Sequence, residues 1–354
     1  MLFDDMLKAD ESLFKNEHAL DPEWVPKLLP FRDHHQRAIA DCIKPVLLGR
    51  NGRNAFVSGA PGIGKTAAAR WVLRDLEESD HGEKVELFYL NCWQKNTTFK
   101  VYVEMCAQFG YAFTQNKKSE ELFDIIKEKC NKRGAVFIFD EVDKAEDTDF
   151  IYSLLNDIFN KSLVLITNEP DWINTMEDRV KSRLLPETIS FKAYTPEETK
   201  QILKQRLEFA FVPDAVTPES FDICCTAAGK VSDVRVGLHL LRQSGLIAED
   251  ESSKKVLPTH VEKAILKLPA FSPKKPEALE EDQKLVLEVI KAKEHGKIGD
   301  LFDAYKAKGG EGQYKTFQRR IDSLSRSGYI SVEKVTNREG NTTMIRATKK
   351  LTDY

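Results

Sequence analysis

Short apolar runs alternate along the first half of the chain with longer stretches in which apolar residues recur at helical spacing. The second kind includes segments 65–76 and 119–132. Such alternation predicts an α/β fold class, in which helices wrap a parallel sheet. The predicted strands are 54–59, 85–91, 135–140, 163–167 and 188–191.

The pattern changes at Thr195, where Thr195-Pro196-Glu197-Glu198 combines a helix cap, a proline suited to the first helical turn and a capping-box glutamate. From there the spacing predicts an all-helical domain without further strands. The predicted helices are 195–211, 218–228, 233–244 and 259–268. Three prolines then fall within 269–276, a composition typical of a semi-rigid linker.

Beyond the linker the chain has three more helical segments, followed by two strands around a turn at 337–341. Three helices and a hairpin predict a winged-helix domain. Its predicted helices are 279–293, 298–308 and 314–327, and its strands are 329–335 and 342–348. The predicted organisation is an α/β domain, a helical lid, a linker and a winged helix, over 1–192, 193–268, 269–278 and 279–354.

Composition excludes several classes of protein. The longest apolar runs are far shorter than the roughly 20 residues that span a bilayer, and residues 1–9 do not resemble a signal peptide. We therefore expect a cytoplasmic, nucleoid-associated protein with no membrane partner. The six cysteines form no C-x-x-C pair, which gives a zinc site or disulfide framework little support. Net charge is −3, yet 314–350 holds nine Lys and Arg against three Asp and Glu, which favours nucleic acid as a local partner.

Residues 59–66 fit the pattern G-x-x-x-x-G-K-[ST] at every fixed position and stand between a predicted strand and a predicted helix. In such a P-loop, backbone N–H groups surround phosphate oxygens, the lysine neutralises the outer phosphates and the hydroxyl binds Mg²⁺. The expected cofactors are therefore ATP or ADP and Mg²⁺; a glycine turn that matches by chance is the alternative. The expected nucleotide contacts are Gly62, Ile63, Gly64, Lys65, Thr66 and Ala67.

Acidic residues end the predicted strand 135–140, where uncompensated charge would be costly. We expect Asp140 to hold Mg²⁺ together with Thr66, and Glu141 to polarise the water that attacks the terminal phosphate, which predicts an ATPase. Asn168, at the end of the next strand, either orients that water or is a turn residue. Asp143 is interpreted as a solvated acid or a helix cap.

These motifs resemble those of AAA+ ATPases and, more narrowly, of the archaeal origin-recognition and cell-division-cycle (Orc/Cdc6-type) initiator family. The resemblance covers nearly the whole chain, including the winged helix. Its narrower part rests on Val25-Pro26, 29–33, 139–143 and Thr167-Asn168-Glu169. Where the family has proline, histidine, arginine and glutamate, this chain has Pro30-Phe31-Arg32-Asp33, so it departs from the pattern at a segment linked to adenine packing.

The resemblance implies roles for individual residues at the matching positions. Asn168 is similar to the family's first sensor and Arg235 to the second, which reaches the phosphates from the lid. Tyr194 and Arg206 are similar to lid-side nucleotide contacts, with a packed aromatic and a solvated arginine as the alternatives. Arg183 is similar to the arginine finger, which acts on the nucleotide of a neighbouring copy.

Candidate contacts to double-stranded DNA lie in three places. Spacing in the third helix of the winged helix predicts a core formed by Phe317, Ile321 and Leu324. The side left to face the major groove consists of Tyr314, Lys315, Gln318 and Arg319. Arg338 at the wing tip suits a phosphate or minor-groove contact, although such tips are commonly plain surface. Lys95 and Lys100 lie in a stretch that resembles an insertion used by initiators on DNA.

The leading hypothesis is an ATP-dependent DNA replication initiator that binds origin DNA, recruits the replicative helicase and hydrolyses ATP slowly as a switch. Other copies or paralogues of the chain are candidate partners on DNA. One alternative is a P-loop ATPase that regulates transcription through its winged helix. A clamp-loader-like motor would leave the winged helix without a purpose, and intact Lys65, Thr66, Asp140 and Glu141 argue against a DNA-binding protein with a vestigial nucleotide site.

Overall fold

The computed structural model of the protein describes residues 12–268, 281–293, 295–310, 312–326, 330–337 and 340–347. The chain divides into two compact units, Met1–Val261 and Glu262–Tyr354. The predicted linker, 269–278, lies outside the described residues, and the four predicted domain bounds stay a prediction. Within the described residues, no helix combines the length and apolar character needed to cross a membrane.

A five-stranded parallel sheet forms the centre of the first unit and confirms the predicted fold class. The strands stand in the order β2-β3-β4-β1-β5. All six residues of β3 are buried, as a strand covered by helices on both faces requires. The strands are β1 (Ala55–Ser58), β2 (Glu86–Asn91), β3 (Ala135–Asp140), β4 (Lys161–Thr167) and β5 (Glu187–Ser190).

Helices cover both faces of this sheet and bury two apolar clusters against it. On one side the rings of Phe137 and Phe139 join Phe150, and on the other Val136 and Ile138 contribute to the second cluster. The sheet is therefore packed on both faces, which holds the strand ends in position. The helices are α1 (Asp33–Leu47), α2 (Lys65–Glu78), α3 (Thr98–Gln108), α4 (Ser119–Arg133), α5 (Asp149–Asp157) and α6 (Asp178–Leu184).

A helical lid follows the sheet, as the change of pattern at Thr195 predicted. The Thr195 hydroxyl accepts from the Glu198 N–H at 3.1 Å, and the Glu198 carboxylate accepts from the Thr195 N–H at 2.9 Å, so the capping box is formed. The helices are α7 (Pro196–Ala210), α8 (Pro218–Val231), α9 (Val234–Asp250) and α10 (Pro258–Lys267). Residues 193–268, all described, contain no strand beyond isolated bridges.

The second unit has the element order of a winged helix. An antiparallel sheet stands in the order β6-β8-β7, and its short strand β6 was not predicted from the residue spacing. Phe317, Ile321 and Leu324 are buried, which confirms the predicted core side of the third helix. The elements are α11 (Glu281–Lys293), β6 (His295–Lys297), α12 (Ile298–Ala307), α13 (Tyr314–Arg326), β7 (Ile330–Asn337) and β8 (Gly340–Ala347).

Phe150 on α5 offers a test of the packing on β3. Its ring centroid lies 4.8 Å from that of Phe139, and both side chains are fully buried. We expect Phe150→Ala to lower the free energy of unfolding of the first unit by about 3–5 kcal/mol, because truncation leaves a cavity. Chemical denaturation followed by tryptophan fluorescence measures this free energy. All four tryptophans precede residue 173, so the fluorescence reports on the first unit. The exposed Phe113 is the control; equal losses in Phe150→Ala and Phe113→Ala would contradict the packing described.

Candidate active site

The loop between β1 and α2 wraps the N-terminus of α2. Gly59, Gly62 and Gly64 have φ angles of 151°, 74° and 89°, which glycine adopts without strain. A Cβ added to Gly62 would lie 2.0 Å from Oδ1 of Asp233, and one added to Gly64 would lie 2.6 Å from the hydroxyl of Tyr194. Both glycines are therefore needed for the backbone conformation and for the close approach of residues from the lid side.

Lys65 is the buried cation of this loop. Its Nζ donates to the carbonyls of Gly59 at 2.8 Å and Ala60 at 2.7 Å, and to Oδ1 of Asn168 at 2.8 Å. Burial lowers the pKa of Lys65 to about 8, while the negative charge of Asp140 acts in the opposite direction. An anion beside Nζ stabilises the charged form, so the position suits a phosphate.

Asp140, at the end of β3, gathers donors from three elements. Its Oδ2 accepts hydrogen bonds from the hydroxyls of Thr66 and Tyr89, each at 2.7 Å. Its Oδ1 accepts from the N–H of Glu141 at 3.0 Å. Glu141 itself has a φ of 53°, in the left-handed region, and lines the same cavity as Asp140. The carboxylate is thus oriented toward the P-loop hydroxyl of Thr66.

The donor set at this point fits a magnesium ion that is shared with a nucleotide. Thr66 and Asp140 offer oxygen atoms, which Mg²⁺ prefers, and they stand side by side. Among the described residues no group of three or more His, Cys, Asp and Glu side chains is arranged to hold a metal. An ion here would therefore take its remaining ligands from phosphate and water.

Asp143 is neither a solvated acid nor a helix cap, so that interpretation is wrong. Its side chain is 2% exposed, pairs with Lys144 at 2.6 Å and accepts from the Thr167 hydroxyl at 2.7 Å and the Asn168 N–H at 3.4 Å. Burial raises the pKa of Asp143, but hydrogen bonds from Lys144 and Thr167 outweigh it and hold the pKa below its ordinary value. Asp143 therefore fixes the end of β4 that carries Asn168.

The lid contributes Arg235, which lines the cavity. Its Nε lies 3.0 Å from Oδ1 of Asp233 and its terminal nitrogen 2.7 Å from Oδ2. These hydrogen bonds raise the pKa of Arg235. Since Asp233 also abuts Gly62, the start of α9 places a cation and an acid together at the P-loop.

Arg32, quoted above as part of the motif before α1, is a site residue that the sequence did not single out. It is buried and donates to the carbonyl of Ile63 at 3.1 and 2.9 Å and to that of Lys192 at 2.9 Å. Its guanidinium lies 3.8 Å from the ring centroid of Tyr194. Arg32 therefore links the P-loop backbone to the chain that leads into the lid, and Tyr194 is both a packed aromatic and a cavity residue.

One cavity of about 320 Å³, a size suited to a small ligand, is lined by Lys65, Asp140, Glu141, Tyr194 and Arg235. Its walls come from the P-loop, the ends of the strands, the lid and the N-terminal segment 22–26. Tyr89 and Arg70, which stack at 4.5 Å, line it and were not predicted. Position alone could have indicated Tyr89, because it lies on the strand paired with β3.

Arg206 and Arg183 lie in different settings. Arg206 borders the cavity, but its described hydrogen bonds go to backbone carbonyls of Ala19, Asp21 and Trp24, so the solvated-arginine alternative is wrong. Arg183 on α6 does not line the cavity. It contacts Asn156, and its guanidinium lies 5.3 Å from the ring centroid of Tyr152.

The candidate DNA contacts are surface residues wherever the structure describes them. Lys95 pairs with Glu104 at 2.9 Å, and Lys100 donates to Asn96 at 2.7 Å. Arg338 lies outside the described residues. On α13 the four predicted residues are all exposed: Tyr314, Lys315, Gln318 and Arg319.

Comparison with known proteins identifies the family. Residues 49–168 match the AAA domain family, and residues 200–266 match the Cdc6 AAA+ ATPase-type lid domain. The chain is 31% identical to ORC1-type DNA replication protein 1 of Archaeoglobus fulgidus over 280 residues. This aligned region is 75% of this chain and 68% of that protein. The chain belongs to the family of ORC1-type DNA replication proteins. It is accordingly an AAA+ ATPase by family, as the motifs indicated.

One further relative and two solved structures extend the likeness. The ORC1-type DNA replication protein of Desulfurococcus amylolyticus is 30% identical over 312 residues, 83% of this chain and 79% of its own length. The solved structure of the Aeropyrum pernix ORC1 protein in complex with DNA is 27% identical, covers 94% of this chain and 93% of that one, and has a TM-score of 0.67. The Aeropyrum pernix ORC2 protein, solved as ADPNP-ADP complexes, shares the fold with a TM-score of 0.73 at 18% identity, covering 96% and 95% of the two chains.

Replacing Asp143 tests whether it positions Asn168. We expect Asp143→Ala to lower the ATP turnover number roughly ten- to hundredfold, because the end of β4 loses its acceptor and Asn168 shifts. ADP affinity should change far less, since Lys65 and the P-loop glycines are retained. Steady-state turnover and equilibrium ADP binding measure the two effects, with the exposed Asp171→Ala as control. Unchanged turnover in Asp143→Ala would show that Asn168 does not depend on this carboxylate.

Proposed function

We propose that the protein is an ATP-dependent replication initiator. It binds ATP with Mg²⁺ in the cavity, binds origin DNA through the winged helix, hydrolyses ATP slowly as a switch and recruits the replicative helicase. The observation that carries this proposal is that Lys65, Asp140 and Arg235 line one cavity. They come from the P-loop, the end of β3 and the lid, respectively. Membership of the ORC1-type family supports the same conclusion.

The residues around the cavity are suited to phosphoryl transfer. Bound Mg²⁺ supplies a Lewis acid that offsets phosphate charge. Lys65 neutralises phosphate oxygens, while Thr66 and Asp140 provide the oxygen ligands on the protein side. Glu141, next to Asp140, accepts a proton from the attacking water, and the Asn168 amide orients that water. Each of these side chains lines the cavity.

The partners of Lys65 and Arg235 support a switch rather than a motor. Lys65 is bonded to Asn168, and Arg235 is bonded to Asp233, which itself abuts Gly62. A phosphate at the P-loop must take over both cations and repel the Asp233 carboxylate. The position of α9 therefore depends on the nucleotide, and the lid transmits the nucleotide state.

DNA binding rests on the exposed side of α13. Lys315, Gln318 and Arg319 are exposed, while the opposite side of the helix is buried. A recognition helix needs this arrangement, with cations for phosphate and an amide or guanidinium for base edges. The related Aeropyrum pernix ORC1 protein was solved with DNA, which supports the same partner here. Lys95 and Lys100 would add to the interface only by leaving Glu104 and Asn96.

Arg183 is proposed to act on a neighbouring copy. It is exposed and does not line its own cavity, so it can stabilise transition-state charge only in another subunit's site. Other copies or paralogues on DNA are therefore part of the proposal. Recruitment of the replicative helicase is proposed from the initiator role alone.

Sequencing the DNA crosslinked to the protein in its own cells tests the proposed function. We expect enrichment at one or a few loci where replication begins. An initiator needs strong preference for few sites, because a genome offers a vast excess of non-specific ones. Enrichment spread over many promoters would contradict the initiator role and favour a transcription regulator.

Neutralising α13 tests the DNA-facing side. We expect the double variant Lys315→Ala, Arg319→Ala to bind origin DNA more weakly and to lower the slope of log affinity against log salt by about 2, because two phosphate contacts are lost. Fluorescence anisotropy across a salt series measures this. Lys293→Ala, on α11, removes an exposed cation from the same unit and is the control. An unchanged slope in the double variant would place the DNA elsewhere.

A further inference from the structure

We infer that Arg206 is a positioning residue that clamps residues 19–24 of the N-terminal segment onto the lid, and that this clamp sets how fast a nucleotide leaves the cavity. The inference rests on the proposed nucleotide site. It assigns Arg206 a contact other than the nucleotide contact that the family resemblance implied.

Arg206 donates hydrogen bonds to three backbone carbonyls of the N-terminal segment. Nε donates to the carbonyl of Ala19, one terminal nitrogen to that of Asp21 and the other to that of Trp24, the last at 2.8 Å. The residue is 6% exposed. Burial lowers the pKa of Arg206 to about 10, which still leaves it charged at neutral pH. Three carbonyls on one guanidinium define the path of the chain, since the donor directions of arginine are fixed.

The clamped segment is a wall of the cavity. Trp24 lies with its ring centroid 4.7 Å from the Arg206 guanidinium and 5.6 Å from the ring of Phe209 on the same helix. Trp24 and Val25 both line the cavity, next to Pro22 and Glu23. Arg206 itself also borders the cavity, but all of its described hydrogen bonds go to this segment, so it acts on a ligand through the wall that it holds.

The other end of the segment is tied to the helix that begins at the P-loop. Arg74 donates to the carbonyl of Val25 at 3.0 Å, and Trp71 donates to that of Lys27 at 2.8 Å, both from α2. The segment therefore joins the lid to α2 along one wall of the cavity. A nucleotide bound against this wall leaves faster when the lid or the segment moves, and the Arg206 bonds oppose both movements.

Arg242 provides a matched comparison. It lies on α9 and also ties the lid to the N-terminal segment, through an exposed pair with Glu17 at 2.6 Å. Exposed pairs contribute little, and neither Arg242 nor Glu17 lines the cavity. Substituting Arg206 or Arg242 by alanine thus removes one positive charge from the lid in each case. Only the Arg206 substitution also removes a contact to the cavity wall.

The test compares Arg206→Ala, Arg206→Lys and Arg242→Ala in the full chain, with a fluorescent ADP analogue displaced by excess ADP. We expect the dissociation rate of the analogue to rise about tenfold in Arg206→Ala. Three hydrogen bonds are lost, but water forms most of the replacement bonds to the freed carbonyls, so the net effect is modest. Lysine, with one nitrogen, should restore only part of this. Association should change less than twofold, and Arg242→Ala should resemble the wild type.

Hydrogen exchange on the nucleotide-free proteins separates the clamp from general instability. Amides of residues 19–27 should exchange faster in Arg206→Ala, while those of the central sheet stay protected. An unchanged dissociation rate, an equal rise in Arg242→Ala, or faster exchange throughout the first unit would each overturn the inference. A wild-type chain that does not bind the analogue at all would instead contradict the proposed nucleotide site.

Discussion

The parallel pairing of β1 with β4 and of β4 with β3 is the constraint on which the site depends. Ser58 pairs with Thr167, and Phe139 with Leu165, so the three strands end at the same edge of the sheet. Parallel strands present their carboxyl ends together, and polar side chains just beyond them converge. The P-loop, Asp140 and Asn168 meet for this reason, although they are far apart in the chain.

The lid completes what the sheet begins. Glycine at positions 62 and 64 allows Asp233 and Tyr194 to lie directly against the P-loop, where a side chain on the loop would exclude them. Arg32 and Arg206 each use a buried guanidinium to hold backbone carbonyls rather than an acid. Arg32 and Arg206 thus fix the backbone around the cavity. Lys65 and Arg235 are left to contact the ligand.

Periodicity predicted the parts of the fold that local spacing determines. The five strands, the capped start of α7 and the buried side of α13 were all predicted, because burial repeats along each element. Strand β6 was missed because three residues carry no period and the strand forms only by pairing with β8. The carbonyl contacts of Arg206 could not be predicted from the sequence either, because these partners lie more than 180 positions earlier in the chain. The prediction for Asp143 was wrong because an acid after a strand is usually solvated, and the partners Thr167 and Asn168 at the end of β4 lie more than 20 positions later in the chain.

Equilibrium titration of the purified chain with a fluorescent ADP analogue in the presence of Mg²⁺ tests the central claim that this cavity is a nucleotide site. We expect one analogue bound per wild-type chain and at least about a hundredfold weaker binding in Lys65→Ala, because the substitution removes a buried positive charge beside the phosphates. Lys44→Ala, an exposed cation on α1, should bind like the wild type. Equal affinity in Lys65→Ala and the wild type would contradict the claim.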